Sequence, residues 1–538
     1  MAFIEIGNNI SISKKAWDGS GQEIFVPNLI NIISTLHEKF EPRRQKLLKA
    51  RKERQQKFDA GSLPDYEDKN SEACTGNWKI KNIPQDFMKR RVEITGPVND
   101  PKMVINMLSR NGEGFRADTA MVDFEDSMKP SFDNVINGIK NVIAASHGNL
   151  RFEKTNSSGK VEKSYVLNPE DMAGLMVRVR GLHLNESNLK INNTPIHGGL
   201  LELAACFYHT SKILLKKNKT PKYYIPKCEH HEEASWWNDL FTEIETLCGY
   251  NQPTLRATFL IETLPAAFQV EEILFAVKEH IIGLNVGRWD KIFSDIKVLK
   301  NHPDRISADR ATINMQKFWM DHYAKRLIKI CHSRGAFAIG GMSAFTPGSD
   351  EEIRNFQTEK VFQDKSYEAE IGHDGCWVSH PYFIGHAMKA FTQDNQLSVT
   401  LEDFDKHPDL IMDGKGPRTL DGLRTNIRVG IAYLRGWNQD LGCVSWDNLM
   451  EDLATLEISR AQTWQWLHHQ IKLESGETVT KDLINNLFNE ELTNIINEHE
   501  LDNNNEIKNE YMKAKDLAFS LFTQEKLDDF LSENSDLY

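Results

Sequence analysis

The chain has 538 residues, a formal net charge of −12, 40% hydrophobic and 26% charged residues. That length suggests two to four domains, with a core that needs no disulfide or metal staple. The composition excludes overall disorder, the acidic balance argues against a general nucleic-acid binder, and no apolar run approaches the roughly 18–20 residues of a membrane helix. The opening MAFIEIGNNISISKK lacks the basic-then-apolar pattern of a secretory leader. Seven scattered cysteines, none in a CxxC pair, read as reduced thiols, so a cytoplasmic protein is expected.

Residues 1–90 read as helical and exposed. LINIISTLHEKF (29–40) places Leu29, Ile30, Ile32, Ile33, Leu36 and Phe40 close to helical spacing. PRRQKLLKARKERQQK (42–57) is strongly basic. It could grip a phosphate or nucleic acid; the preferred reading is a solvated helix face with Leu47 and Leu48 turned inward.

From 91 to 390, strand-like runs appear at RVEIT (91–95), TAMVDFED (119–126), LMVRVRGL (175–182), YYIPKCE (223–229), ATFLIET (257–263), IIGLNVG (281–287), AFAIGGM (336–342) and CWVSHP (376–381). Most are followed by helical segments, and strands alternating with helices mean a parallel sheet. Eight such units predict an α/β fold of the (β/α)8 barrel type. A doubly wound open sheet is the alternative, but no GxGxxG follows the first strand. Residues 391–538 read as helical. SWDNLMEDLATLEISRAQTWQWLHHQI (445–471) is predicted as one long helix capped by Asp447, with two more helices after it. The expected division is an N-terminal helical clasp (1–90), a barrel (91–390) and a C-terminal helical plug (391–538).

Barrel enzymes carry their chemistry at the C-terminal ends of the strands. Charged residues recur there: Asp123, Glu125 and Asp126, then Arg178 and Arg180, Lys227 and Glu229, Glu262, and Arg288 with Asp290. Glu262 and Asp290 lie on adjacent strands and suit Mg²⁺, or else an ion pair with Arg288 or another nearby base. Arg180 suits a carboxylate or a developing oxyanion, or else serves as structural partner of Glu125 or Asp126. Asp452 sits among Leu449, Leu453 and Leu456. A carboxylate on an apolar stripe has a raised pKa, as a general base needs, or else a buried ion-pair partner. No HExxH, zinc-knuckle, GxSxG or P-loop pattern is present. The adjacent pairs His230–His231 and His468–His469 would face different ways on a helix, and GGMS (340–343) is a weak phosphate-loop candidate.

The blocks EITGPV (93–98), VDFEDSMKP (122–130), RVRGLHLNE (178–186), IETLPAAF (261–268), GLNVGRWDKIFS (283–294), RGAFAIGGMSAF (334–345), GHDGCWVSHP (372–381) and MEDLATLEISRAQTWQW (450–466) closely resemble malate synthases of the shorter, A-type isoform. The resemblance runs in register from about residue 25 to the end. It implies a barrel with a helical clasp and a helical plug. It also implies a Claisen condensation of acetyl-CoA with glyoxylate, then hydrolysis to malate and CoA. By matched motif, Glu262 and Asp290 would bind Mg²⁺, Arg180 and Asp452 would be catalytic, and Gly287, Arg288, Trp289 and Asp290 would help hold glyoxylate. The block Asp123, Glu125, Asp126 and Ser127 would support the catalytic arginine and approach acetyl-CoA, with Glu125 and Asp126 on the substrate side and Asp123, Ser127 and Pro381 at the CoA site. The implied partners are these small molecules, with no nucleic acid or membrane, in a monomer or small homo-oligomer. One departure is a longer segment between the first two strands, which could alter CoA access or do nothing. Two rivals are a Mg²⁺ barrel lyase acting on β-hydroxyacyl-CoA esters and an inactive binding scaffold. The long C-terminal helical region carrying Asp452 argues against the lyase, and the full set of polar residues argues against the scaffold.

Overall fold

The structure is a computed structural model that describes residues 2–7, 9–501 and 504–533. All eight expected strands form: β1 (Val92–Pro97), β2 (Thr119–Asp123), β3 (Gly174–Arg178), β4 (Lys222–Ile225), β5 (Arg256–Ile261), β6 (Ile281–Val286), β7 (Phe337–Ser343) and β8 (Gly375–Val378). They pair in parallel and in chain order, and β8 closes the barrel onto β1 with Trp377 opposite Glu93. Alternation sorts their side chains. Met121, Met176, Tyr224, Leu260, Ile282, Ile339 and Trp377 form one interior cluster, while Val122, Val177 and Leu284 belong to the shell under the helices.

The first 90 residues are less helical than their sequence suggests. Phe3–Gly7 pairs with Ile10–Ser13, which continues onto Asn185–Ile191 and Thr194–His197 as a four-stranded antiparallel sheet. Strands this short carry little periodicity, and two of the partners lie far along the chain. Helix α1 (Pro27–Asp59) contains the basic run. Much of that run is a solvated face, with Lys46, Lys49, Lys52 and Lys57 exposed, but two of its arginines turn inward. Arg44 is buried on Glu41 and the Leu182 carbonyl, and Arg51 is buried on Glu233 and the Lys227 carbonyl. Leu47 is buried and Leu48 half-buried beside them. Arg44 and Arg51 dock α1 onto the barrel, each held by protein acceptors.

Helix α2 (Arg288–Val298) follows β6 and packs on α3 (Leu453–His468). The expected single helix over 445–471 is two elements. Val444–Trp446 and Leu449–Glu451 form a hairpin whose turn residues, Asp447 and Asn448, have φ of 47° and 62°. Two successive left-handed residues match the twist of a two-residue hairpin, and Asp and Asn tolerate that conformation. Asp447 therefore turns the hairpin, and the helix cap is Asp452. Every residue of α3 from Leu453 to Trp466 is buried, so Asp452 does not lie on an apolar stripe of an otherwise polar helix.

Candidate active site

At the C-terminal end of the barrel, a cavity of about 30 Å³ is lined by groups from five connections. Asp126 and Ser127 follow β2, Arg178 ends β3, and Glu262 follows β5. Gly287, Arg288, Trp289 and Asp290 lead from β6 into α2, and Asp452 starts α3. A Cβ on Gly287 would lie 2.6 Å from the Cβ of Glu262 and 2.7 Å from its Oε2, so only glycine lets these two connections close. The hairpin at 444–451 is pinned to the end of β7 by hydrogen bonds from Met450 N to Ala344 O (2.7 Å) and from Thr346 N to Asn448 O (3.0 Å). This carries Asp452 into the mouth. There a capping box fixes its carboxylate: Oδ1 accepts from Thr455 N, and Thr455 Oγ1 accepts from Asp452 N.

The cation among these carboxylates is Lys227. Its Nζ lies 2.6 Å from Asp126, 2.9 Å from Asp290, 3.6 Å from Glu125 and 3.8 Å from Glu262. The sequence shows Lys227 only as one charge at a strand end; the tertiary structure gives it four partners. Of the alternative ion-pair partners for Glu262 and Asp290, Arg288 pairs instead with Asp364 at 2.9 Å, and the nearby base is Lys227. Lys227 does not satisfy the whole cluster. Glu262 Oε2 and both carboxylate oxygens of Glu125 are buried without a hydrogen-bond partner. Hard, unpartnered oxygens of this kind fit a divalent cation such as Mg²⁺.

Burial, reinforced by neighbouring like charges, sets the titration of most of this mouth. Burial pushes Asp290 up to about 7 against the pull of Lys227, with Glu262 adding to the rise. Burial also raises Glu125 and Asp126. Asp452 is held well above the ordinary carboxylate range, first by burial and then by Asp126 and Asp290. Asp123 behaves differently. Burial opposes its ionisation, yet the Arg178 guanidinium and the Ser127 hydroxyl bring it below the usual range.

The arginine in the mouth is Arg178, not Arg180. Arg178 binds Asp123 through Nε and Nη2, both at 2.6 Å, and its Nη1 lies 3.6 Å from Asp126. Asp123 also accepts from Ser127 N and Oγ, so Asp123 and Ser127 form the seat of this arginine. Arg180 turns away. Its guanidinium pairs with Glu202 and Glu186, not with Glu125 or Asp126, and a Cβ on Gly198 would lie 2.5 Å from its Cζ. It borders a larger cavity of about 980 Å³ between α1, the loop after β3 and residues 529–533. Alternation along β3 cannot separate the two arginines, because 176, 178 and 180 share one parity. The strand ends at Arg178, and the turn beyond it sends Arg180 outward. The larger volume lies on the Arg180 side, but the acids converge in the smaller cavity.

Pro381 opens a turn after β8 and does not line the mouth. The extra length between β1 and β2 falls after the helix Pro101–Leu108, and Asn111 Nδ2 from it donates to the Pro381 carbonyl at 2.9 Å. The glycines of GGMS lie within β7, where Gly341 bonds to Lys365 and Glu368, so this is no phosphate loop.

Among the described residues, only Glu67, His230 and His231 bring three potential ligand atoms within 4.8 Å of one another. His230 caps a helix that begins at His231, so both rings reach Glu67, at 3.1 and 3.6 Å. This does not make a metal site. His230 Nδ1 accepts from Glu232 N, so Nε2 carries the hydrogen and donates it to Glu67, leaving no lone pair. The trio clips residue 67 to the barrel.

Comparison with known proteins agrees with this architecture. Three malate synthase family models match: the N-terminal domain at residues 19–70, the TIM barrel domain at 174–409 and the C-terminal region at 417–536. Malate synthase A of Escherichia coli (strain K12) is 43% identical over 518 residues, 95% of each chain. Malate synthase of Myxococcus xanthus is 41% identical over 487 residues, 89% of this chain and 88% of that one. The glyoxysomal malate synthase of Candida tropicalis is 40% identical over 485 residues, covering 87% and 86%. With the barrel, the flanking regions and near-full-length identity in agreement, the chain belongs to the malate synthase family and is an acyltransferase enzyme.

Proposed function

We propose that this mouth condenses acetyl-CoA with glyoxylate and hydrolyses the malyl-CoA product to malate and CoA. The observation that carries the reading is the meeting of Arg178, Glu262, Asp290 and Asp452 from four separate connections around one small cavity.

Asp452 is the general base. It removes a methyl proton from the acetyl group, and its capped, buried carboxylate is oriented for one direction of transfer. Arg178, seated on Asp123, has Nη1 free of that pair and takes the enolate oxygen as charge develops there. It thus assumes the role that the resemblance assigned to Arg180. Glu262 and Asp290 hold Mg²⁺, which when bound supplies Lewis-acid polarisation of the glyoxylate aldehyde. The segment from Gly287 through Asp290 leads into the first turn of α2, where the N–H groups of Arg288, Trp289 and Asp290 have no partner within the helix and suit the glyoxylate carboxylate. The enolate carbon attacks the aldehyde carbon, and water then cleaves the thioester. Glu125 and Asp126 shape the cluster around Lys227, and Pro381 remains our assignment for a CoA contact.

The clasp (1–90), barrel (91–390) and plug (391–538) stay as the working division of this proposal. We also read the enzyme as cytoplasmic and acting as a monomer or small homo-oligomer. No helix among the described residues is long and apolar enough to cross a membrane, and the seven cysteines are unpaired.

The test is release of free CoA when the purified protein is mixed with acetyl-CoA, glyoxylate and Mg²⁺. Release is expected, and chelation of the metal should stop it. A folded protein that releases no CoA overturns the assignment.

A further inference from the structure

Lys227 lies two residues beyond β4 with φ of 54°, a left-handed conformation that a lysine rarely adopts. Strain of this kind persists where the surroundings hold it, and it gathers at functional sites. Four contacts hold it here. The backbone N–H donates to Glu262 Oε1 at 2.7 Å, and the carbonyl accepts from Arg51 Nη2 of α1 at 2.7 Å. The ammonium donates to Asp126 at 2.6 Å and lies 2.9 Å from Asp290.

The ammonium is therefore placed among the carboxylates that suit a divalent cation. The acids are arranged around Nζ rather than gathered on a point of their own, and the mouth acids do not form a group of three ligand atoms within 4.8 Å. An ammonium and a divalent ion on the same Asp290 carboxylate would repel strongly in so buried a place. An unpaired cluster of buried carboxylates would equally repel itself if Lys227 were absent.

We propose that Lys227 is the internal counter-cation of this mouth: it holds Asp126, Glu262 and Asp290 together without metal, and a divalent ion binds by displacing its ammonium from Asp290. The inference rests on the metal reading of Glu262 and Asp290 given above. It makes metal affinity a competition. The bond from Arg51 to the Lys227 carbonyl confines the movement to the side chain, so α1 and the turn keep their places.

Mn²⁺ binding measured calorimetrically without substrates tests both readings separately. Wild type is expected to bind one Mn²⁺, and Glu262→Gln to lose it; a wild type that binds none overturns the metal reading, and the inference with it. If wild type binds, Lys227→Met should bind Mn²⁺ about tenfold tighter or more, since the competing charge is gone. Its metal-free Tm should fall, and Mn²⁺ should restore it. A purely structural lysine predicts the opposite, weaker binding and a low Tm with or without metal, and equal or weaker binding overturns the inference. Wild type supplies a second measurement independent of that variant's folding. Acetic anhydride labelling of Lys227, read by mass spectrometry, should rise several-fold on adding Mn²⁺, and unchanged labelling overturns displacement.

Discussion

Two buried polar networks share the interior of this barrel, and they are finished to different degrees. Below the mouth, Glu93 on β1 accepts from Arg90 and Thr119 through Oε1, and from Tyr224 and Trp377 through Oε2. Arg90 in turn donates to Thr258 and Tyr224. Both oxygens of that carboxylate are occupied, by donors from three other strands and from Arg90 just before β1. In the mouth, six acids stand against Arg178 and Lys227, and Glu262 Oε2 and both oxygens of Glu125 have no donor. A closed network fixes a barrel; an open one has capacity left for ligands. The difference teaches where stability ends and chemistry begins in one continuous core.

Substitutions should separate the two networks. The largest effect is expected for Asp452→Asn, which should lower kcat by about 10²–10⁴-fold while glyoxylate binding stays close to wild type. Turnover near wild type in that variant would remove Asp452 from the mechanism and leave the mouth without a base. Next, Arg178→Lys should lower kcat about 10²–10³-fold, because a point charge cannot replace the fork that spans Asp123 and the enolate oxygen. Arg180→Lys should lower Tm and leave kcat largely intact; the reverse pattern would return the role to Arg180.

The closed network should answer in stability. Glu93→Gln leaves Arg90 buried beside a neutral group, at a cost of about 3–5 kcal/mol in urea unfolding. The kcat of the folded enzyme should not change. Glu125→Gln in the mouth should shift unfolding by no more than about 1 kcal/mol, because its oxygens hold no hydrogen bond to lose. Comparable losses in both variants would erase the distinction between the networks.

The smallest effect concerns the clip at residue 67. His230 and His231 hold the Glu67 carboxylate below its ordinary 4.5, and Glu67 raises His231 above 6.5. The lowered acid contributes above pH 4.5 and loses its contribution as pH falls through the folded-state value. The raised histidine contributes below 6.5 and loses its contribution as pH rises through its own. Protection of residues 60–75 from proteolysis should therefore be greatest between about pH 4.5 and 6.5 and decline as pH rises further, through the raised His231 value. A flat profile would show that neutral hydrogen bonds alone hold the clip.

The eight strands were legible because a barrel strand is buried on both faces and reads as a short apolar run whatever surrounds it. Glu262, Asp290 and Asp126 were legible as charges at or just beyond strand ends, where largely apolar runs give way to charged residues. The hairpin before α3 was not. Its residues sit beside a strongly helical segment, and what divides the two is the left-handed pair Asp447–Asn448 and the hydrogen bonds that tie Asn448 and Met450 to the chain after β7.

The amino-acid sequence by itself determined the barrel, the family and the acids that ring its mouth, since these follow from local periodicity and long motif blocks. Tertiary structure alone decided which arginine enters the site, how Asp452 arrives there, and that Lys227 is the cation among the carboxylates. Each of those depends on where a chain turns after its last strand residue and on which distant groups meet it. Spacing along the chain carries neither.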